Sequence, residues 1–221
     1  ISFEFILYYV VFCINLQHLK IQISFTHTNF NYSVLITKKN ILASAKNTIL
    51  SESQSIARLA DYIDENFFEA TQKIYNSKGR LVVTGIGKSA IIAQKMVASF
   101  NSTGTPSLFL HASEAIHGDL GMIQSEDVII CISKSGNSPE IKVLVPLLKR
   151  FGNTLIAITG NMTSFLAQGS DIVLNTTVDS EACPNNLAPT NSTTAQLVMG
   201  DALIVCLMEM RDFKPEDFAV Y

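Results

Sequence analysis

The chain has 221 residues, with 16 Lys and Arg against 19 Asp and Glu and a net charge of -3. That balance, without any Lys/Arg cluster, argues against a nucleic-acid surface, and the length suits one α/β domain with at most an appendage. Hydrophobic residues make up 48% and charged residues 16%, enough for a large core. Four cysteines (Cys13, Cys131, Cys183, Cys206) are scattered with no C-x-x-C pair, which excludes zinc-type spacing. Cys131 and Cys206 fall in apolar segments and read as reduced core residues of a cytosolic protein.

Residues 1–38 stand apart as an atypical N-terminal extension. Residues 1–40 contain no Gly, Ala, Pro, Asp or Arg and are crowded with Ile, Phe, Asn, Tyr and Lys. Three readings compete. A signal or membrane segment over 1–16 is interrupted by Glu4, lacks a basic leader and is short of the ~20 residues a span needs. A native strand-rich extension is the second. The third is translated A/T-rich sequence upstream of a later start, since A/T-rich codons give this residue mix.

From residue 39 the pattern becomes regular. Ile41, Leu42, Ala45, Ile49, Ile56, Leu59, Ala60, Ile63 and Phe67 recur near a 3.6 period and predict helix over 39–76. Strands are predicted at 81–85, 107–110, 128–132, 154–159 and 171–175. Helices are predicted at 88–102, 139–151, 163–168 and 193–211, with Gly152 at a C′ position. Five short apolar strands alternating with helices make a doubly wound parallel α/β sheet of five strands flanked by helices. In such sheets ligands sit at the carboxyl ends of the strands, beside the switch in strand order. The polar loops at 85–89, 111–121, 133–138 and 179–194 all fall at that end.

The most informative loop is VIICISKSGNSPE, residues 128–140. A β-branched apolar run reads as a strand buried on both faces. Ser133, Ser135 and Ser138 follow, with Gly136 between them, and Ser138 is a candidate N-cap before Pro139 at the first helical position. Hydroxyls and backbone N–H groups at the positive end of a helix suit a phosphate monoester. The bland alternative is a polar β–α loop with nothing bound.

The other motifs divide by spacing. Gly85-Ile86-Gly87-Lys88-Ser89 is no P-loop, because Val82 stands where Walker A needs Gly. It also spells G-x-G-x-x-A, but Leu110-His111 occupies the place of the ribose-binding acid, which opposes a nucleotide-dependent oxidoreductase. What remains is a tight turn delivering Lys88 and the Ser89 hydroxyl to the cleft, against a Lys that merely opens a helix in solvent. Glu140 is either a dipole-complementing carboxylate or a site residue. Glu181, in DSEACPNNLAPT, is a candidate proton carrier. His117 and Asp119 in HGDLG are candidate ligands or catalysts, against the alternative of a hydrogen-bonded loop histidine. Thr190, Ser192, Thr193 and Thr194 form a second hydroxyl cluster at a helix start, and one of them is expected to cap it.

GIGKSAIIAQKMVASFNSTGTPSLFLHASEAIHGDLGMI, ISKSGNSPEI, EACPNNLAPTNSTTAQLVMGDAL and FKPEDFAVY closely resemble D-arabinose-5-phosphate isomerases of the sugar isomerase (SIS) domain superfamily. The resemblance runs over roughly residues 40–221. The serine loop is common to the superfamily. HGDLG and the EACP to STT stretch separate this branch from phosphoheptose isomerases, aminosugar isomerase domains and sugar-phosphate-sensing regulators.

The resemblance implies a flavodoxin-like strand order. It implies interconversion of D-ribulose 5-phosphate and D-arabinose 5-phosphate, the entry to the lipopolysaccharide sugar Kdo, by a cytoplasmic homotetramer without cofactor or metal. Matching positions are Lys88, Glu140 and Glu181 for catalysis and Ser133, Ser135 and Ser138 for the phosphate. Beside these stand His117 as a catalytic candidate, and Gly87, Ser89, Gly136, Thr190, Ser192 and Thr193 as substrate- or phosphate-binding candidates. The family's fourth catalytic position is a His in an H-P-G-G motif that would follow Tyr221, and a pair of CBS domains commonly comes after it. The isomerase domain is thus expected over 39–221, binding sugar phosphate but turning it over poorly without that His.

The expected chemistry is proton transfer between C1 and C2 through a cis-enediol(ate). Glu181 carries the proton with the H-P-G-G His its rival, Lys88 stabilises the enediolate charge, and Glu140 orients Lys88 or a sugar hydroxyl. Another SIS isomerase acting on a heptose or hexulose phosphate, or a non-catalytic sugar-phosphate regulator, remains open. The expected partners are a sugar phosphate and further copies of the chain, with no nucleic acid and no membrane.

Overall fold

The computed structural model describes residues 38–219. Cys13, the readings proposed for residues 1–16 and the end of the chain at Tyr221 lie outside the described residues. In chain order the elements are α1 (Lys38–Leu59), α2 (Glu65–Tyr75), β1 (Leu81–Gly85), α3 (Lys88–Ser102), β2 (Ser107–His111), α4 (Ala112–Ala115), β3 (Val128–Ser133), α5 (Pro139–Phe151), β4 (Leu155–Thr159), α6 (Phe165–Gly169), β5 (Ile172–Asn175), α7 (Asn191–Met210) and α8 (Pro215–Phe218). Short 3₁₀ turns occupy Ala60–Tyr62 and Asp119–Met122.

The five strands are parallel in the order β2-β1-β3-β4-β5. This is the flavodoxin-like order, and its switch point lies between β1 and β3. There Gly85 at the end of β1 is level with Ile132, so the 85–89 turn and the serine loop leave the sheet side by side.

Strands β1, β3 and β4 are buried along their whole length because helices cover both faces. On one face Leu81, Val83, Ile130, Ile132, Ile156 and Ile158 meet α2, α3 and α7. On the other, Val82, Ile129, Cys131, Leu155 and Ala157 meet α4, α5 and α6. Burial pushes the Cys131 thiol up to about 12, so it is an inert apolar side chain. Cys206 is half-buried on α7 rather than in the centre of the core.

Helix α7 is long and apolar enough by length and composition to cross a membrane. Here it packs on α3 so closely that a Cβ on Gly200 would meet Met96 at 2.7 Å.

The predicted helix over 39–76 is two helices. Its periodic pattern continues through the break, but Asp64 takes extended backbone and caps α2 by accepting from Asn66 N at 2.9 Å. Helix α7 begins at Asn191, two residues before the expected start. The HASEAIHG stretch is not wholly irregular, since His111 Nδ1 accepts from Ser113 N at 3.3 Å and caps the single turn of α4.

Candidate active site

The serine loop owes its shape to its own hydroxyls. Ser133 Oγ accepts from Gly136 N at 3.1 Å, Ser135 Oγ from Asn137 N at 3.3 Å, and Ser138 Oγ from Ile141 N at 3.4 Å. Ser138 is the N-cap of α5 and Pro139 its first residue, as the sequence predicts. Each serine oxygen takes a backbone N–H, and no serine proton is spent on a protein acceptor among the described residues. The loop therefore offers a ligand O–H donors, and the amides of Gly136, Asn137 and Ile141 are used internally.

The segment after β4 braces this loop from behind. Leu166 N donates to Gly136 O at 3.0 Å, Gly160 N to Lys134 O at 3.0 Å, and Phe165 N to Asn137 Oδ1 at 2.9 Å. Gly136 has φ +61°, and a Cβ there would meet Ser164 Oγ at 2.2 Å, so conformation and space both demand glycine. Glu140, in the first turn of α5, is half-buried and its carboxylate accepts no hydrogen bond among the described residues.

Beside it, Gly87 turns β1 into α3 with φ +59° and ψ -129°. Lys88 opens α3, exposed and with no ion pair among the described residues. Ser89 points elsewhere. Its Oγ donates to Oε1 of the buried Gln196 on α7 at 3.1 Å, so its proton is not available to a phosphate.

Glu181 departs furthest from expectation. Its side chain is fully buried. Oε1 accepts from Lys134 Nζ at 2.5 Å and Ser192 Oγ at 2.5 Å. Oε2 accepts from Thr190 N at 2.8 Å, Ser192 N at 3.1 Å and Thr190 Oγ1 at 3.2 Å. Burial alone would raise its pKa, but Lys134, Ser192 and Thr190 outweigh burial and hold it down to about 2. The Glu181 carboxylate is thus fully bonded within the protein.

The second hydroxyl cluster is bonded into the same network. Thr190 and Ser192 spend their protons on Glu181, and Thr193 spends its own on Thr190 O at 3.0 Å. Thr190, Ser192 and Thr193 thus donate to acceptors within the protein. The expected side-chain cap is absent too. Thr190 stands at the N-cap without capping, and the Glu181 carboxylate bonds the first N–H groups of α7 in its place.

His117 is exposed on the turn after α4, its backbone N bonded to Glu114 O at 2.9 Å, and its ring makes no hydrogen bond among the described residues. The structure thus gathers Ser133, Ser135, Gly136, Ser138 and Glu140 on one loop, with Gly87, Lys88 and Ser89 on the neighbouring turn. Glu181 joins them through Lys134. His117 and Asp119 stay outside the bonded set. Cys183 Sγ, in the Glu181 loop, accepts from Leu187 N at 3.0 Å and Ala188 N at 3.1 Å, and these bonds lower its thiol pKa.

Two residues escaped the sequence reading. Lys134 stands inside the Ser-Lys-Ser triplet, whose flanking hydroxyls give the stronger linear signal. Gln196 lies one turn after Ser192, and a polar residue inside an apolar helix pattern was its only signal. Among the described residues no three His, Cys, Asp or Glu side chains come together as a metal site. Chemically, the site offers hydroxyl donors at a helix N-terminus and, unbonded among the described residues, the ammonium of Lys88 and the carboxylate of Glu140. That combination can hold an anion at one end and move a proton at the other.

The SIS domain family matches residues 73–206, from α2 into α7 and across every loop of the site. The chain belongs to the SIS domain family. Among SIS relatives, it is 52% identical over 177 residues to arabinose 5-phosphate isomerase KdsD of Shigella flexneri, covering 80% of this chain and 54% of that protein. It is 48% identical over 180 residues to KdsD of Pseudomonas aeruginosa, covering 81% and 55%. The chain spans about half the length of the curated relatives it matches. A solved SIS structure, c3406 of Escherichia coli CFT073 in complex with arabinose 5-phosphate, superposes with a TM-score of 0.80 at 39% identity, covering 84% of this chain and 98% of that one.

Proposed function

We propose that the protein is an aldose–ketose isomerase interconverting D-arabinose 5-phosphate and D-ribulose 5-phosphate. The observation that carries this is the serine loop, with three hydroxyl protons free at the N-terminus of α5 and Lys88 on the adjoining turn. The relatives named arabinose 5-phosphate isomerase and the solved complex with that sugar phosphate support the choice of sugar.

In this reading Ser133, Ser135 and Ser138 grip the phosphate and fix the sugar's register. Binding energy remote from the reacting carbons then positions C1 and C2. A base takes the C2 proton of the aldose and returns it to C1 of the cis-enediolate, leaving the ketone at C2. Lys88 stabilises the oxyanion that develops at O1. Glu140, whose carboxylate accepts no hydrogen bond among the described residues, orients Lys88 or shuttles protons among the sugar oxygens. Glu181 is the proposed proton carrier, and its bonds to the amides of Thr190 and Ser192 hold the start of α7. His117 is retained as a candidate on the rim.

We assign residues 39–221 to the isomerase domain, and the reaction to the entry of Kdo and lipopolysaccharide synthesis in the cytoplasm. We also propose a homotetramer. Helix α1 has 22 residues and buries one of them, Leu59, while Ile49 is 68% exposed and Ile41, Leu42 and Leu50 more than half exposed. An isolated helix of that length is marginal in water, and a second copy of the chain supplies the apolar face it lacks.

The deciding experiment assays the full-length protein against ketose 5- and 6-phosphates. Ribulose 5-phosphate is expected among the best substrates. Preference for a heptose or hexulose phosphate removes the specific claim, and binding without turnover makes the protein a regulator.

A further inference from the structure

Lys134 sits between two phosphate-loop serines, yet its side chain leaves the loop. Its backbone O is pinned by Gly160 N at 3.0 Å, and its Nζ lies 2.5 Å from Glu181 Oε1. The other donors to that carboxylate are hydroxyls and amides, so Lys134 is the one cation on it among the described residues. A buried carboxylate needs such a counter-charge to stay ionised. Other titratable groups on the surrounding elements do not bond it: Cys183 takes backbone N–H groups, Asp179 pairs with Arg58, and Glu52 accepts from Thr194. From Glu181 the bonds continue into the first turn of α7 at Ser192. One turn further, Gln196 holds the hydroxyl of Ser89, next to Lys88.

We propose that Lys134 is a positioning residue. Its ion pair with Glu181 sets the spacing between the serine loop, which takes the phosphate, and α7, which holds the turn that carries Lys88. The proposal rests on the sugar-phosphate reading above and extends it to a residue that touches neither phosphate nor reacting carbons. Loss of the pair frees the loop and α7 to shift against one another. Reaction geometry suffers more than affinity, because a misplacement of about 1 Å is felt mainly in the chemical step.

The test uses Lys134→Met and Lys134→Arg in the full-length protein. Lys134→Met is expected to lower kcat for ribulose 5-phosphate about ten-fold or more while KM stays within about two-fold, and Lys134→Arg to restore most of the rate. Carbon-13 NMR titration of the Glu181 carboxyl, assigned with Glu181→Gln, reads the pair without turnover. Its midpoint should rise by about one unit or more in Lys134→Met. An unchanged rate with an unmoved midpoint overturns the proposal. So does a raised KM with kcat kept, the signature of a direct phosphate ligand. If the wild-type protein turns over no sugar phosphate, the isomerase reading fails by itself, and the proposal then stands or falls on the midpoint alone.

Discussion

Ser192 gives its hydroxyl proton to Glu181, 11 residues earlier in the chain, across 2.5 Å. The same carboxylate takes the Ser192 amide, so a loop residue caps the longest core helix. This bond pattern separates the residues that hold the site together from those free to meet a ligand.

Glu181 should give stability a particular acid dependence. Its pKa is about 2 against an ordinary 4.5, so its contribution is complete above about 4.5 and is lost as pH falls toward 2. A shift of that size is worth roughly 3 kcal/mol. Urea unfolding of wild type and Glu181→Gln should show a gap of that order at pH 7 that narrows from pH 5 to pH 3. A gap independent of pH contradicts the assignment.

The two hydroxyl clusters should respond differently to alanine. Ser133→Ala and Ser135→Ala each remove a free donor to an anion and should weaken inorganic phosphate binding about ten-fold, a loss of roughly 1.5 kcal/mol. Ser192→Ala removes a proton already spent on Glu181, so it should lower the melting temperature while phosphate affinity stays within about two-fold. Calorimetric titration with phosphate and a thermal melt compare the variants directly. Equal losses of affinity would erase the distinction drawn between the clusters.

At the reacting end, Lys88→Ala and Glu140→Gln in the full-length protein should each lower kcat about 10²-fold on general acid–base and electrostatic scales. Binding of arabinose 5-phosphate should change far less, because the phosphate grip lies on the serine loop. Near-wild-type turnover in either variant removes that residue from the chemistry.

The exposed face of α1 makes a prediction about assembly. Ile49→Glu places a charge in the middle of it, and sedimentation should show smaller species than the wild type. A wild type that sediments as a monomer denies α1 this role.

The sequence made the frame legible because its signals are local. A short β-branched run buried on both faces needs no partner to be recognised, and Ser138-Pro139 and Gly152 end their elements by backbone preference alone. Indeed Gly152 has φ +76°. The orientation of a hydroxyl is another matter. Thr190 and Ser192 look like phosphate donors in any linear reading, and only the folded loop brings Glu181 in to take their protons. Lys134 was hidden for the same reason, since its partner lies 47 residues away. The break at Asp64 was masked by apolar periodicity running through it.

The serine oxygens carry one more consequence. With each already taking an amide proton, the three hydroxyls face a ligand first as donors, each keeping one acceptor lone pair. A phosphate monoester loses its last proton near pH 6, and the monoanion brings a hydroxyl that itself seeks an acceptor. Such a loop sorts ligands by protonation state, favouring the dianion, and its hold on a sugar phosphate is set by the acidity of the medium as much as by the shape of the sugar.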